Sequence, residues 1–296
     1  HPLDHGRAGL LETSLPETAK KLGPDARRWK NLHQGLTKNI DKHLANLLGP
    51  VLKWPAHPIR MAKFGPFALL PAKRLASAAF ETEEARSLFI RSAMHSVTPP
   101  HKPMTASLGL LFGALGMSRG WPVAVGGSGR IVDALVNVIN HHGGTIHCDS
   151  QIDSLSQFRD TDAIILNQTP SQVLKLKGTD LNAGLPQRMS TWKHGPSSYK
   201  VDYLLDGPIP WSNPQVGQAT TVHVGGSSEE IAFAEAEVAV GRMPERPFII
   251  LCQQQVADPS RAREGRHVVW AYAHVPRGFV DKRAALLITA QIERFA

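Results

Sequence analysis

The chain has 296 residues, 42% of them hydrophobic and 20% charged, which excludes a disordered polymer and suffices for one large or two modest cores. Its two cysteines, Cys148 and Cys252, exclude a disulfide framework and make a reducing, cytoplasmic setting the expectation. The net charge of +8 is uneven: residues 1–100 hold 15 basic against 8 acidic side chains, and 201–296 hold 9 against 11. Without Arg-rich arms, zinc-finger spacing or RNA-binding aromatics, that imbalance excludes a nucleic-acid footprint. No apolar run is long enough to span a bilayer, the nearest being the short, Gly-rich 107–117, and the start shows no signal-peptide pattern.

Residues 1–118 read as mostly helical. Ser14-Leu15-Pro16-Glu17 has the form of a capping box, with Pro16 in the first turn where its missing N–H does no harm. Trp29, Leu32, Leu36, Ile40, Leu44 and Leu47 recur at helical spacing and predict one helix over 25–48, stopped by Gly49-Pro50. A further helix is expected over 83–95. Between these two, from Lys42 to Phe80, there is no Asp or Glu, but there are Lys42, Lys53, Arg60, Lys63, Lys73 and Arg74. They alternate with Leu52, Trp54, Ile59, Met61, Phe64, Phe67, Leu69 and Leu70. Such alternation fits a segment lying at a membrane interface, but the simpler expectation is a loop-rich cap over a substrate cavity with solvated charges. Pro50, Pro55, Pro58, Pro66 and Pro71 argue against one continuous interfacial helix.

From Gly120 the pattern changes. A short apolar run turns at Gly126-Gly127, and Ile131, Leu135, Val138 and Ile139 then place one apolar stripe on a helix. Gly143-Gly144 ends it, and strands are expected over 145–152 and 162–167. Further strands are expected over 199–205, 220–224, 248–253 and 267–274, with hairpin-like spacing that suggests an antiparallel sheet. Ser227-Ser228-Glu229-Glu230 caps an Ala-rich helix to Val240, and a last helix covers 281–296.

The Pro122-x-x-x-Gly126-Gly127 turn, the apolar helix, the Gly pair and the following strand resemble the middle of the phytoene desaturase-like FAD oxidoreductases, within the flavin amine-oxidase superfamily. The likeness extends to HPLDHG at 1–6, YKVDYLLDGPIPW at 199–211, TVHVGGSSEEIA at 221–232, DPSRA at 258–262, WAYAHVP at 270–276 and QIERFA at 291–296. It implies an α/β fold (an α+β mixture): a partial FAD-binding Rossmann-like domain, an antiparallel-sheet substrate domain and a helical cap. It divides the chain into a cap or substrate part at 1–118, an FAD-domain segment at 119–175, the sheet domain at 176–282 and a helix at 283–296 leading back to the FAD domain. It puts Trp121, Pro122, Gly126, Gly127 and Ser128 near the flavin and Ile152 by its adenine end, with Asn167, Thr169 and Pro170 along a returning strand. The implied activity is FAD-dependent dehydrogenation of an apolar, isoprenoid-like substrate. The alternative is a non-catalytic protein on the same fold that touches a membrane or a partner through 42–80, cytoplasmic or membrane-associated.

The residues themselves restrict that picture. A dinucleotide fingerprint needs G-x-G-x-x-G, but after Gly127-Ser128-Gly129 it is Val132 that stands where the third glycine belongs. The chain therefore reads as the interior of a larger flavoenzyme, lacking both FAD-binding ends and binding FAD weakly or not at all. Arg130 likewise breaks a G-x-S-x-G elbow, leaving Ser128 the role of a helix N-cap. His141, His142, His147 and Cys148 lack a second ligand pair at metal-site spacing and read as a helix end and a strand face, so no metal is expected. His274 is read as ending a strand and Arg261 as bracing a turn with Asp258. No nucleophile or acid–base pair is legible, in keeping with chemistry that a flavin would carry.

Overall fold

A computed structural model describes residues 1–50, 54–262 and 265–296. It is a mixed helix and strand structure whose contacts divide it into two units, His1–Arg130 with Pro196–Ala296, and Ile131–Gly195.

The first unit opens with α1 (Leu15–Lys21), whose Glu17 amide donates to Ser14 Oγ; this is one half of the expected capping box. The helix expected over 25–48 is two helices, α2 (Ala26–Thr37) and α3 (Ile40–Leu47). Thr37 turns its hydroxyl back onto the His33 carbonyl at 3.2 Å, and Asn39, at φ −140°, leaves the helical backbone. The acid-free stretch is likewise not loop-rich. It forms α4 (Pro58–Ala68) and α5 (Ala72–Ala79), with Pro58 in the first turn of α4; Leu52 and Lys53 lie outside the described residues.

Next comes α6 (Glu83–Ala93), and its start is tied to that of α2. The buried Asp25 carboxylate accepts from the Glu81 and Thr82 amides and from the Thr82 hydroxyl at 2.6 Å. Burial alone would raise this carboxyl's pKa; those hydrogen bonds and Arg28 outweigh it and hold the group below its ordinary range.

At the centre lies α7 (Thr105–Arg119), packed close through the glycines of the Gly-rich run 107–117. A Cβ on Gly109 would stand 2.9 Å from Phe89 Cζ, and one on Gly113 would stand 3.1 Å from His33 Nε2. Glycine lets α6 and α2 nest against this helix. Around it Trp29, Leu88, Phe89, Ile90 and Leu110 are almost fully buried. Each stabilises the fold by roughly 1.5–3 kcal/mol relative to exposure.

The C-terminal part of the unit is an antiparallel sheet of β1 (Ser197–Leu205), β2 (Thr221–Val224), β3 (Ile249–Cys252) and β4 (His267–Val275), in the order β1-β4-β3-β2. All four coincide with expected strands, because period-2 alternation is kept wherever a sheet has distinct faces. One face packs Val222, Val224, Ile249, Leu251, Ala271 and Ala273 against Ile288 and Ile292. The last two belong to a C-terminal helix, Arg283–Glu293. The other face presents His223, Ile250, Tyr272 and His274 toward the helical core and toward a helix at Ser228–Ala239 that carries the complete Ser227/Glu230 capping box.

In the second unit, α8 (Gly129–His141) carries the expected stripe, but Ile131, Leu135 and Val138 are all more than half exposed. Two short helices follow, α9 (Pro170–Val173) and α10 (Leu185–Ser190), and in chain order the helices at 228–239 and 283–293 are α11 and α12. The strands expected at 145–152 and 162–167 do not form; the segments are irregular, and Ser154–Lys177 is the single bridge in this unit. An extended segment becomes a strand only when a neighbour takes its backbone hydrogen bonds, and neither segment has one here. Only Leu155 and Val173 are buried in this unit. Among the described residues, no helix is long and apolar enough to cross a membrane.

Candidate functional site

Three elements converge on an imidazole–guanidinium chain in which Arg91 and His223 are buried and His95 half-buried. Arg91 lies near the end of α6, His95 in the single turn that follows it, and His223 in the middle of β2 between buried Val222 and Val224. Arg91 Nη1 donates to His223 Nδ1 at 2.9 Å. A guanidinium has no acceptor, so His223 must keep its proton on Nε2 and donate it to His95 Nε2, 3.2 Å away. The direction of the chain is thus fixed by its first member.

Aromatic rings close around it. His95 stacks on Phe112 at 4.7 Å between centroids, while Trp121 meets His95 edge-on at 5.6 Å and His223 at 6.1 Å. Phe248 stacks on the far side of His223 at 5.8 Å. Trp121 reaches this position because α7 ends at Arg119 and Gly120 turns with φ +69°. It then fits against Gly116, where a Cβ would stand 3.0 Å from the indole Nε1.

The electrostatics are unusual. Burial, followed by the Arg91 charge, pushes His223 well below its ordinary pKa and His95 down to about 4, so both rings are neutral at physiological pH. Burial alone lowers Arg91 to about 10, which leaves it charged. Among the described residues no carboxylate pairs with it, and its Nε has no hydrogen-bond partner. Beyond Phe248, His274 Nδ1 lies 2.9 Å from Glu235 Oε2 on α11, and both groups are buried.

The second constellation joins two motifs 132 residues apart. The Gly126 amide donates to Asp258 Oδ2 at 2.7 Å, and Arg261 Nη1 donates to the Gly126 carbonyl at 2.8 Å. A Cβ on Gly127 would stand 2.7 Å from that same guanidinium nitrogen, and the φ of +99° also requires glycine there. Asp258 accepts from Ser260 as well, and its own carbonyl accepts from the Arg261 amide. The sequence reading of Arg261 as a brace with Asp258 thus describes half of the contact; the Gly126-Gly127 turn is the other half.

The remaining sequence-derived residues scatter. Pro122 is exposed and follows Trp121, and Ser128 immediately precedes α8. Ile152 and Asn167 line one cavity of about 410 Å³ within 131–195, which Leu155, Phe158 and Leu166 share. Thr169 stands at the start of α9, with Pro170 in its first turn. His141 and His142 lie edge to face at 5.3 Å on an exposed helix end, and His274 falls at the end of β4 as its spacing suggested. Among the described residues no group of three or more His, Cys, Asp or Glu is placed to hold a metal ion.

The glycine turn does not fit the pyrophosphate of FAD. Two of its amides are taken, Gly126 by the Asp258 carboxylate and Gly127 by the Ala124 carbonyl at 2.9 Å, and Arg261 fills the space over Gly127. A pyrophosphate needs free amides at a helix start, not a carboxylate already seated there. Sequence reasoning missed Arg91, His95 and His223. Their trace is a basic residue and a histidine four apart inside the apolar run Phe89–His95, and a histidine flanked by valines in β2. No family model and no curated protein matches the chain.

Proposed function

We propose that this chain is the interior portion of an FAD-dependent oxidoreductase resembling the phytoene desaturases, and that it supplies the chamber in which an apolar, isoprenoid-like substrate is dehydrogenated. The observation that carries the reading is the position of Trp121. Of the residues that the resemblance places beside a flavin, it is the one that packs directly on the Arg91–His223–His95 chain. A water-poor aromatic box with neutral imidazoles suits hydride removal from carbon, which needs orientation and a low dielectric more than an acid. In this reading Arg91 would stabilise the negative charge that the hydride brings to the flavin, since the carbon that loses it becomes electron-poor. Trp121, Phe112 and Phe248 exclude water from it.

The flavin itself belongs, in this reading, to a Rossmann-like domain to which 119–175 contributes one segment. The exposed stripe of α8 supports that assignment, since Ile131, Leu135 and Val138 are the surface that a covering sheet would bury. Pro122, Gly126, Gly127 and Ser128 would then give FAD peripheral contacts only. The test is the complete gene product, purified and mixed without oxygen with an isoprenoid polyene. Bound flavin that bleaches on mixing, about tenfold more slowly in Trp121→Ala, is the expected result; a gene product without flavin sinks the reading.

A second reading rests on a different surface. Trp54, Ile59 and Leu69 are 83%, 74% and 61% exposed within the acid-free stretch, as a protein adsorbing to an anionic membrane would present them. Of the cations in that stretch, Lys73 is already paired with Glu229 at 2.7 Å. Co-sedimentation with phosphatidylglycerol vesicles that is lost on neutralising Arg60, Lys63 and Arg74 would favour this reading.

A further inference from the structure

Two adjoining cavities in the helical part of the first unit share a pair of cations. One, of about 300 Å³, is lined by Leu32, Leu36, Phe64, Phe67 and Leu110 from α2, α4 and α7, with Arg60 and Lys63 at its edge. The other, of about 420 Å³, is lined by Lys42, His57, Ile59, Arg60 and Lys63. The first is a half-open recess, mostly apolar but with Asn31, Gln34 and His43 also on its wall, and the second is basic, with Arg60 and Lys63 common to both. Sizes of this order are those of small-molecule sites, in which an apolar lining meets a few placed polar groups.

Among the described residues, the charges in this place have no carboxylate partner: Lys42, Arg60 and Lys63 take part in no salt bridge, and the neighbouring Asp41 is committed to Arg119 at 2.6 Å. Elsewhere in the unit, long basic side chains find carboxylates, as Arg28 finds Glu81 and Arg294 finds Asp4 and Glu230. A run of 39 residues from Lys42 to Phe80 without an acid keeps the local field positive. An anion entering there meets three cations and displaces no partner, and a chain attached to it has a mostly apolar recess one helix turn away, since Arg60, Phe64 and Phe67 share a face of α4.

We propose that these cavities form a site for a single-chain amphiphile with a phosphate head. Arg60, Lys63 and Lys42 receive the head, and Phe64, Phe67 and Leu36 receive the first part of the chain. The site lies apart from the Arg91–His223 chain, and the inference does not depend on the proposed function. A phosphate-headed chain is available both as a free monomer and within a bilayer, and the structure favours the monomer because the apolar receptor is a cavity.

The probe is dodecyl phosphate held below its micelle concentration and titrated calorimetrically into the full chain. Saturable one-to-one binding is expected, weakened about tenfold in Arg60→Gln/Lys63→Gln and more than about tenfold when inorganic phosphate replaces the amphiphile. Phe67→Ala, at an exposed position, should weaken dodecyl phosphate and leave butyl phosphate unchanged. Circular dichroism checks folding, and if the double variant fails to fold, Lys63→Gln alone should weaken binding about threefold. Equal affinity in wild type and folded variants, or no saturable heat, overturns the proposal. Sedimentation with phosphatidylglycerol vesicles in the absence of monomer binding also overturns it, in favour of adsorption to a membrane.

Discussion

Among the described residues, no carboxylate answers the charge of Arg91. Burying a cation against neutral imidazoles costs stability, and a hydrophobic side chain of similar volume is commonly as stable or more so. Arg91→Met should therefore unfold at the same or a higher denaturant concentration than wild type, and under the proposed function it should also abolish flavin bleaching in the complete gene product. A large destabilisation would assign Arg91 a purely structural role. His33 shows the opposite economy. Its ring stacks on Trp29 at 4.4 Å and its Nε2 is buried without a partner. Burial lowers its pKa to about 4 from 6.5, only partly opposed by the hydrogen bond to the Trp29 carbonyl. Between those values the unfolded chain binds the proton and the folded chain does not. The contribution is thus complete above about 6.5 and is lost as pH falls toward 4, with an upper size of roughly 3 kcal/mol. Denaturant titrations across that range should show stability falling with pH, with a visibly shallower fall in His33→Leu. An unchanged slope contradicts the assignment.

At the scale of elements, the capping box of α11 is a local device with a local effect. Ser227 accepts from the Glu230 amide at 3.2 Å, and Glu230 returns the bond to the Ser227 amide at 2.9 Å. Glu230 also takes Arg294, the residue that caps the end of α12, at 2.8 Å. Burial would raise its carboxyl, but Arg294 and Ser227 outweigh that and hold it down at about 2. Ser227→Ala should cost about 1 kcal/mol in equilibrium unfolding, and a loss well beyond that would mean the Arg294 contact had gone with it. This box was legible in the sequence because its parts lie within four residues. The break between α2 and α3 was not, because apolar spacing continues across Lys38-Asn39 while the backbone leaves the helix. The strands expected at 145–152 and 162–167 failed for a related reason. Their apolar composition was read correctly, but a strand exists only with a partner, and composition does not supply one.

For the molecule as a whole, the two units differ in how they are held. His1–Arg130 with Pro196–Ala296 has two apolar clusters and a four-stranded sheet, whereas Ile131–Gly195 buries Leu155 and Val173 and leaves Ile131, Leu135, Val138 and Ile165 exposed. Local opening follows buried contact, so hydrogen exchange should label the amides of 131–195 well before those of α6, α7 and β3. Equal protection in both units would mean that the exposed stripe of α8 is covered in solution. The sequence by itself determined the mixed helix and strand class, the four strands of the sheet, the helices α1, α6, α8, α11 and α12, and the caps at Ser14 and Ser227. These follow from spacing and from bonds between residues a few positions apart. Only the tertiary structure decided that α7 is the packing centre, that DPSRA grips the Gly126-Gly127 turn, and that Arg91, His95 and His223 form one chain beneath Trp121. Those contacts join residues up to 135 positions apart, and they exist because a packed core brings distant side chains together, which no local pattern encodes.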